Sequence, residues 1–492
     1  GGMIVKRYYD EKLAQASYLI GCAASGEALV VDANRDIEQY VAGAEAEGLR
    51  ITHVTETHIH ADFVSGSREL ARRTGARLYL SDEGGADWSY AFAAAEGAVL
   101  LRDGDGFDVG NFRIDAVHTP GHTPEHLTFL VTDGAASDRP MAALTGDFMF
   151  VGDVGRPDLL EEAAGVAGTM DAAARSLFRS LERFRTEQPD WLQIWPGHGA
   201  GSACGKGIGS IPQSTVGYER MTNWAFGHTD EDAFVAAVLE GQPEPPRYFA
   251  EMKRINREGP RILGDRGAPP TLSPGGVRAV LDRGAVLVDA RPADDYAAGH
   301  VPGTLSIPLT RMFTTWAGWL VPYDADFYLI SEEDAIAEAV RDLAVVGLDR
   351  VAGAFAPAAV GAWARTRGAP GTVDRVDAAT LAQMAENGEV TVLDIRGAAE
   401  WEAVRIPDAV HIPLGDLPDR LDEVPSGRPV AVHCESGGRS AIAASVLLAL
   451  GVADVLEFRG GIRAWLEAGL PARRGPARPG TRPERPLEAR AA

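Results

Sequence analysis

Four stretches of the chain carry side chains that can bind a metal together. His58-Ile59-His60 is followed by Asp62 in ETHIHADFVSGS, and His122, Asp147 and His198 stand in HTPGHTPEH, TGDFMF and WPGHGAGSACGK. Imidazoles and carboxylates at loop tips suit a catalytic divalent metal, which needs enough ligands to be held and positions left open for reactants. Phe63 occupies the place where a further ligand would complete a two-metal site. A different chemistry is offered by PVAVHCESGGRSAIAASVLLALG, which reads as a buried strand, a tight loop opened by Cys434, and a helix from about Ser440 that ends before Gly451. Its sulfur would face loop N–H groups and the positive end of a helix, with Arg439 adding charge and Gly437 and Gly438 letting the backbone wrap round it. These are the surroundings of a nucleophilic thiol.

The elements that must position these groups are legible in outline. From Met3 to about Gly259, strand-like runs such as SYLIG, EALVVD, ITHVTET and ARLYLS alternate with helical stretches, which predicts a mixed α/β domain. Prolines cluster between residues 241 and 274, as expected of a domain exit and linker. An internal repeat follows. LVDARPADDYAAGHVPGTLSIP returns as VLDIRGAAEWEAVRIPDAVHIP, so that Asp289, Arg291, Asp295 and Ile307-Pro308 recur at one constant offset as Asp394, Arg396, Glu400 and Ile412-Pro413. Each copy reads as a small doubly wound α/β domain. That offset sets Leu329 opposite Cys434, and the first copy has no cysteine. The final residues, rich in arginine and proline, read as a disordered tail.

Composition limits the classes of function. With 492 residues, of which 45% are hydrophobic and 24% charged, the chain is long enough for about three folded domains. A formal charge of −23 disfavours nucleic acid and anionic membrane as partners. No apolar run approaches the ~20 residues needed to span a bilayer, and the stretch after Met3 has no apolar signal core, so a cytoplasmic protein is expected. Cys22, Cys204 and Cys434 are too few and too scattered for a disulfide framework, which fits a reducing compartment. Cys22 is read as packing, and Cys204 as either a reactive or a packed thiol. The Gly-rich loop around Lys206 departs from the phosphate-cradling pattern at Ala200 and Gly207, and nucleotide binding is set aside.

In order and spacing, the four metal motifs resemble the metallo-β-lactamase superfamily over about 250 residues. The resemblance implies an αββα sandwich with the metal at the ends of its sheets. Two-metal hydrolases of that superfamily carry a histidine where this chain has Phe63. One metal can still be held by His58, His122 and Asp147, a two-imidazole, one-carboxylate set suited to Fe(II) and O₂ chemistry. The arrangement looks like the persulfide dioxygenase branch, in which those motif positions bind iron. The resemblance then leaves His60, Asp62 and His198 to orient ligands or shape the pocket beside Cys204, and gives Arg156 in GDVGRPDLL to the carboxylates of a thiol substrate; a surface salt bridge is the alternative for Arg156.

Cys434-Glu-Ser-Gly-Gly-Arg-Ser resembles the rhodanese active loop, and Asp394, Arg396 and Glu400-Trp401 match the same family over about 100 residues. The whole chain therefore looks like the persulfide dioxygenase-rhodanese fusions. The expected organisation is a metallo-β-lactamase-fold domain over 3–262, a degenerate rhodanese domain over 270–370 acting as a spacer or docking module, an active rhodanese domain over 373–474, and a tail over 475–492. The implied cofactor is one Fe(II) per chain. The implied partners are glutathione persulfide or another low-molecular-weight thiol persulfide, O₂, and sulfite or thiosulfate, with no nucleic acid and no membrane; a homo-oligomer is compatible with the chain. The alternative is a two-metal, glyoxalase-II-like thioester hydrolase fused to a sulfurtransferase.

Overall fold

In the computed structural model, residues 2–159 and 168–476 are described. Nearly all of the expected tail, from residue 477 on, lies outside them. The chain divides into two compact units, Gly1–Arg266 with Arg341–Gly347, and Gly267–Val340 with Leu348–Ala492. The repeat comparison assigns 341–347 to the first repeat, yet this short stretch belongs to the first unit. There Val345 accepts a backbone hydrogen bond from Val64, and Arg341 pairs with Asp10 and Asp36.

Two six-stranded mixed sheets build the first unit. One runs in sequence order from Met3–Asp10 to Val99–Leu101; the other places Ala142–Gly146 between Gln193–Pro196 and Leu127–Asp133. The inner strands of the first sheet are buried on both faces, and their side chains alternate between two cores. Leu19, Ala28 and Val30 pack outward against the helices Glu38–Ala46 and Ser67–Thr74, while Tyr18, Ile20, Leu29 and Val31 point inward. There they meet Phe129, Leu144 and Trp195 of the second sheet. The helix Thr169–Glu187 covers the outer face of that sheet through Ala174, Leu177, Leu181 and Phe184. The result is the αββα sandwich. All four metal motifs follow strand ends, and the two sheets are tied together beside them. Ala16 N–H donates to Gly197 O at 2.8 Å and Tyr18 Oη to Pro196 O at 2.8 Å.

Two parallel sheets, with a short antiparallel pair of Val404–Arg405 and Arg473–Arg474, make up the second unit. The first repeat orders its strands Leu305–Ser306, Val286–Asp289, Phe327–Ile330, Val351–Phe355. The second orders them Asp374–Arg375, Val455–Glu457, Val430–His433, Thr391–Asp394, Val410–His411. Both copies use the same internal clamp. Arg291 Nη2 reaches Asp289 at 2.8 Å and Gly299 O at 2.9 Å, and Arg396 Nη2 reaches Asp394 at 2.7 Å and Val404 O at 2.7 Å. Asp-x-Arg is thus a device that ties strand to loop.

Strand register corrects one expectation. Asp289 lies beside Ile330 as Asp394 lies beside His433, so the residue in the place of Cys434 is Ser331, two positions after Leu329. The constant offset fails because the first repeat inserts the helix Phe313–Leu320 where the second has only short 3₁₀ turns, Leu414–Asp419 and Leu421–Glu423.

Candidate metal centre and sulfur site

His58, His122 and Asp147 converge. Their donor atoms lie within 4.8 Å of one another, and all three side chains are buried. His122 Nε2 is 3.3 Å and His58 Nε2 3.6 Å from Asp147 Oδ2. Hydrogen bonds on the far side of each ring fix its tautomer. Thr57 donates its hydroxyl hydrogen to Asp32 at 2.9 Å, so at 2.8 Å it accepts from His58 Nδ1–H. His122 Nδ1–H donates to Arg156 O at 2.9 Å. Both rings therefore turn a bare Nε2 toward Asp147. Burial, and next the charge of His60, holds His58 down at about 4, so its ring is neutral as a metal ligand must be. His58 Nε2 and Asp147 Oδ2 are buried and make no hydrogen bond. Orphaned acceptors in such a place fit a bound cation.

The neighbouring groups behave differently. His60 turns its Nε2 to Asp32 at 3.0 Å; burial opposes its charge, but Asp32, Glu56 and Asp62 outweigh burial and raise it to about 9. Phe63 is fully buried with its ring 4.4 Å from that of His60. His198 bridges two carboxylates, with Nδ1 2.6 Å from Asp147 Oδ1 and Nε2 2.6 Å from Asp62 Oδ2. Burial opposes its charge, but Asp147 and then Asp62 hold it well above the usual histidine range. Cys204 lies with Asp62 and His198 in a second buried group whose donor atoms are within 4.8 Å. Burial, then those carboxylates, pushes its thiol well above the ordinary range. Arg156 is buried, and the salt bridge weighed as the alternative to a substrate contact is present in the structure. It makes a two-point pair with Asp158 at 2.8 and 2.7 Å and donates to Ala203 O at 3.1 Å, leaving two N–H donors over.

Sequence reasoning missed the groups that orient this centre. Asp32 accepts from Thr57 N–H, Thr57 Oγ1 and His60, and its backbone is left-handed (φ 57°). Glu125 accepts from Ile59 N–H at 2.7 Å and pins the His-x-His loop; burial raises it to about 7. The available signal for Asp32 is an acidic residue closing the apolar run EALVV. Gly146 has φ 51°, and a Cβ there would lie 2.5 Å from Thr57 Oγ1 and 2.7 Å from His126 Nε2. Only glycine lets the chain turn Asp147 into the site.

At the sulfur site, Gly437 N–H donates to Cys434 Sγ at 3.2 Å, and Gly437 (φ 114°) opens the helix Gly438–Ala449. Arg439 makes a two-point pair with Glu400, both contacts 2.8 Å, and Glu400 also accepts from Gly397 N–H at 2.9 Å. The cation is thereby anchored to the signature residue upstream. Cys434 is only 2% exposed.

Fold and site together define a metallo-β-lactamase-type metal centre joined to a rhodanese-type cysteine loop. The metallo-β-lactamase superfamily matches residues 11–198, and the rhodanese-like domain matches residues 377–468. The crystal structure of a metallo-β-lactamase from Staphylococcus aureus subsp. aureus COL is 40% identical, with TM-score 0.66, and covers 73% of this chain and all of its own. A sulfurtransferase of Allochromatium vinosum is 41% identical over 100 residues, 20% of this chain and 94% of its own. The mitochondrial persulfide dioxygenase ETHE1 of Bos taurus is 28% identical over 200 residues, 40% of this chain and 68% of its own. The chain belongs to the metallo-β-lactamase superfamily. Within it, the chain is a fusion of a domain homologous to persulfide dioxygenases with a C-terminal rhodanese domain. Among the described residues, no helix is long and apolar enough to cross a membrane.

Proposed function

We propose that the first unit holds one Fe(II) through His58, His122 and Asp147 and oxidises a low-molecular-weight thiol persulfide, with O₂ and water, to thiol and sulfite. Cys434 transfers sulfane sulfur between persulfide, sulfite and thiosulfate. The reading rests on one observation above the others: two imidazole Nε2 atoms and one carboxylate oxygen converge in a buried place, two of the three without a hydrogen bond. When bound, iron in such a set supplies open positions at which O₂ and a sulfur ligand meet. The chain's own residues do the rest. Thr57 and Arg156 O aim the ligands, His198 keeps a proton between Asp147 and Asp62, and the surrounding burial excludes bulk water.

A second reading has its own support. Asp62, His198 and Cys204 form a group that can hold a second ion, as a two-metal thioester hydrolase requires. Phe63 stands where a further imidazole would complete that second group, and this favours the one-metal reading. Anaerobic purification, metal analysis and O₂ uptake with a panel of persulfides separate the two. Two zinc ions per chain, with thioester hydrolysis and no oxygen consumption, would overturn the dioxygenase.

Two variants probe the neighbourhood. Thr57→Val keeps the volume but leaves His58 Nδ1–H without an acceptor, and is expected to weaken metal binding ~10–100-fold, as losses of ligand-orienting partners do. Metal titration of the stripped protein reads it. Phe63→His supplies the missing imidazole and is expected to raise the metal content above one per chain while persulfide-dependent O₂ uptake persists. Complete loss of uptake would show that the Phe63 ring itself shapes the reactive site.

A further inference from the structure

The second unit contains a cavity of about 390 Å³ whose walls come from both repeats. The first repeat contributes Met312, Ser331 and Glu332, and the second contributes Gly438, Ile442 and Arg459. This volume falls in the range of small organic ligand sites, about 300–1,000 Å³. The cavity opens onto the turn that holds the catalytic sulfur, because Gly437, which donates to Cys434 Sγ, also lines it. The terminal methyl of Met312 covers Gly438 so closely that a Cβ there would lie 2.5 Å from it. Of the two guanidinium groups in the wall, Arg291 is clamped on Asp289. The Arg459 side chain is 40% exposed; its Nη1 makes no hydrogen bond, and its guanidinium is ion-paired with Glu457 and Asp294 only at 3.7 Å, which leaves it able to take a further anion. The rest of the wall is largely alanine, proline, leucine and isoleucine.

We propose that this cavity docks the organic thiol that exchanges sulfur with Cys434, a small thiol bearing a carboxylate, with Met312 of the silent repeat shaping the site and Arg459 taking the carboxylate. The first repeat is then a specificity wall and not a spacer. The inference rests on the sulfurtransferase reading of Cys434. In the reaction it serves, Cys434 sulfur attacks the sulfane sulfur of thiosulfate, the thiosulfate S–S bond breaks and sulfite leaves with the electron pair. The docked thiol, as its thiolate, then attacks the terminal sulfur of the Cys434 persulfide. A new S–S bond forms on the acceptor, the Cys434–sulfur bond breaks, and Cys434 departs with that pair, so no external oxidant is needed.

The test uses the full chain with thiosulfate as donor and three acceptors: glutathione, the uncharged 2-mercaptoethanol, and cyanide. Met312→Trp fills the cavity and is expected to raise the ratio of glutathione KM to cyanide KM ~10-fold, the scale of a misfit in an apolar pocket. Arg459→Gln is expected to raise glutathione KM relative to 2-mercaptoethanol KM. A one-sulfur mass increase on Cys434 after thiosulfate treatment reports that the loop is folded in each variant. Should Met312→Trp not load sulfur, Met312→Ala, which enlarges the cavity, must still shift the glutathione-to-cyanide ratio. Unchanged ratios in variants that load sulfur would overturn the inference, as would a wild type that serves cyanide but not glutathione. Failure of the underlying reading looks different: the wild type itself would gain no sulfur on Cys434.

Discussion

Asp147→Ala is expected to empty the metal centre and abolish persulfide-dependent O₂ uptake while sulfur transfer through Cys434 persists. Asp147 supplies the only carboxylate oxygen of the convergent set, and its other oxygen holds His198 at 2.6 Å. Removing it takes the carboxylate out of that set and leaves buried His198 without one of its two carboxylate partners. Breaking a buried pair in this way costs ~3–5 kcal/mol, so Asp147→Asn, which keeps the volume, is measured alongside. In both variants metal per chain should fall toward zero by elemental analysis, and an oxygen electrode should record no turnover. The thiosulfate:cyanide assay is the internal control, because Cys434 belongs to the other compact unit. Undiminished O₂ uptake in either variant would rule out this carboxylate as a ligand.

The candidate metal set was legible because its residues stand in short, chemically unusual strings. His58, His122 and Asp147, and His198 beside them, each follow a strand end, and strand ends gather at one side of a sandwich. Asp32 and Thr57 were not legible, because an aspartate ending an apolar run and a threonine before a histidine are ordinary residues. Only the fold brings Asp32 to the His-x-His loop and shows Thr57 donating one way and accepting the other. Repeats gave away the second unit, but a constant offset cannot survive an insertion. The helix Phe313–Leu320 displaced the cysteine-equivalent position from Leu329 to Ser331. The cavity wall was invisible for a related reason. Met312 reaches Gly438 across more than a hundred residues of chain, and no local pattern encodes that meeting.

Cys434→Ser is expected to change what the enzyme makes more than how fast it consumes oxygen. Sulfite is a nucleophile toward sulfane sulfur. When persulfide loads Cys434 and sulfite is produced on the same chain, sulfite attacks the terminal sulfur of the Cys434 persulfide, the Cys434–sulfur bond breaks, and thiosulfate leaves. With excess glutathione persulfide and O₂, the intact enzyme should therefore release mainly thiosulfate. Cys434→Ser should release mainly sulfite at similar O₂ consumption, because a serine hydroxyl does not carry sulfane sulfur. Tethering raises the effective concentration of one site's product at the other, though an ion as small as sulfite diffuses away quickly, so the expected signature is product identity and not channelling. The couple is expected to run in reverse as well. Thiosulfate with a thiol should load Cys434, generate persulfide and drive O₂ uptake, and this uptake should vanish in Cys434→Ser while added persulfide still supports it. Ion chromatography of the products and an oxygen electrode read both directions. Identical product ratios from wild type and Cys434→Ser, with thiosulfate-driven uptake absent from both, would mean that the two chemistries share a chain without sharing an intermediate.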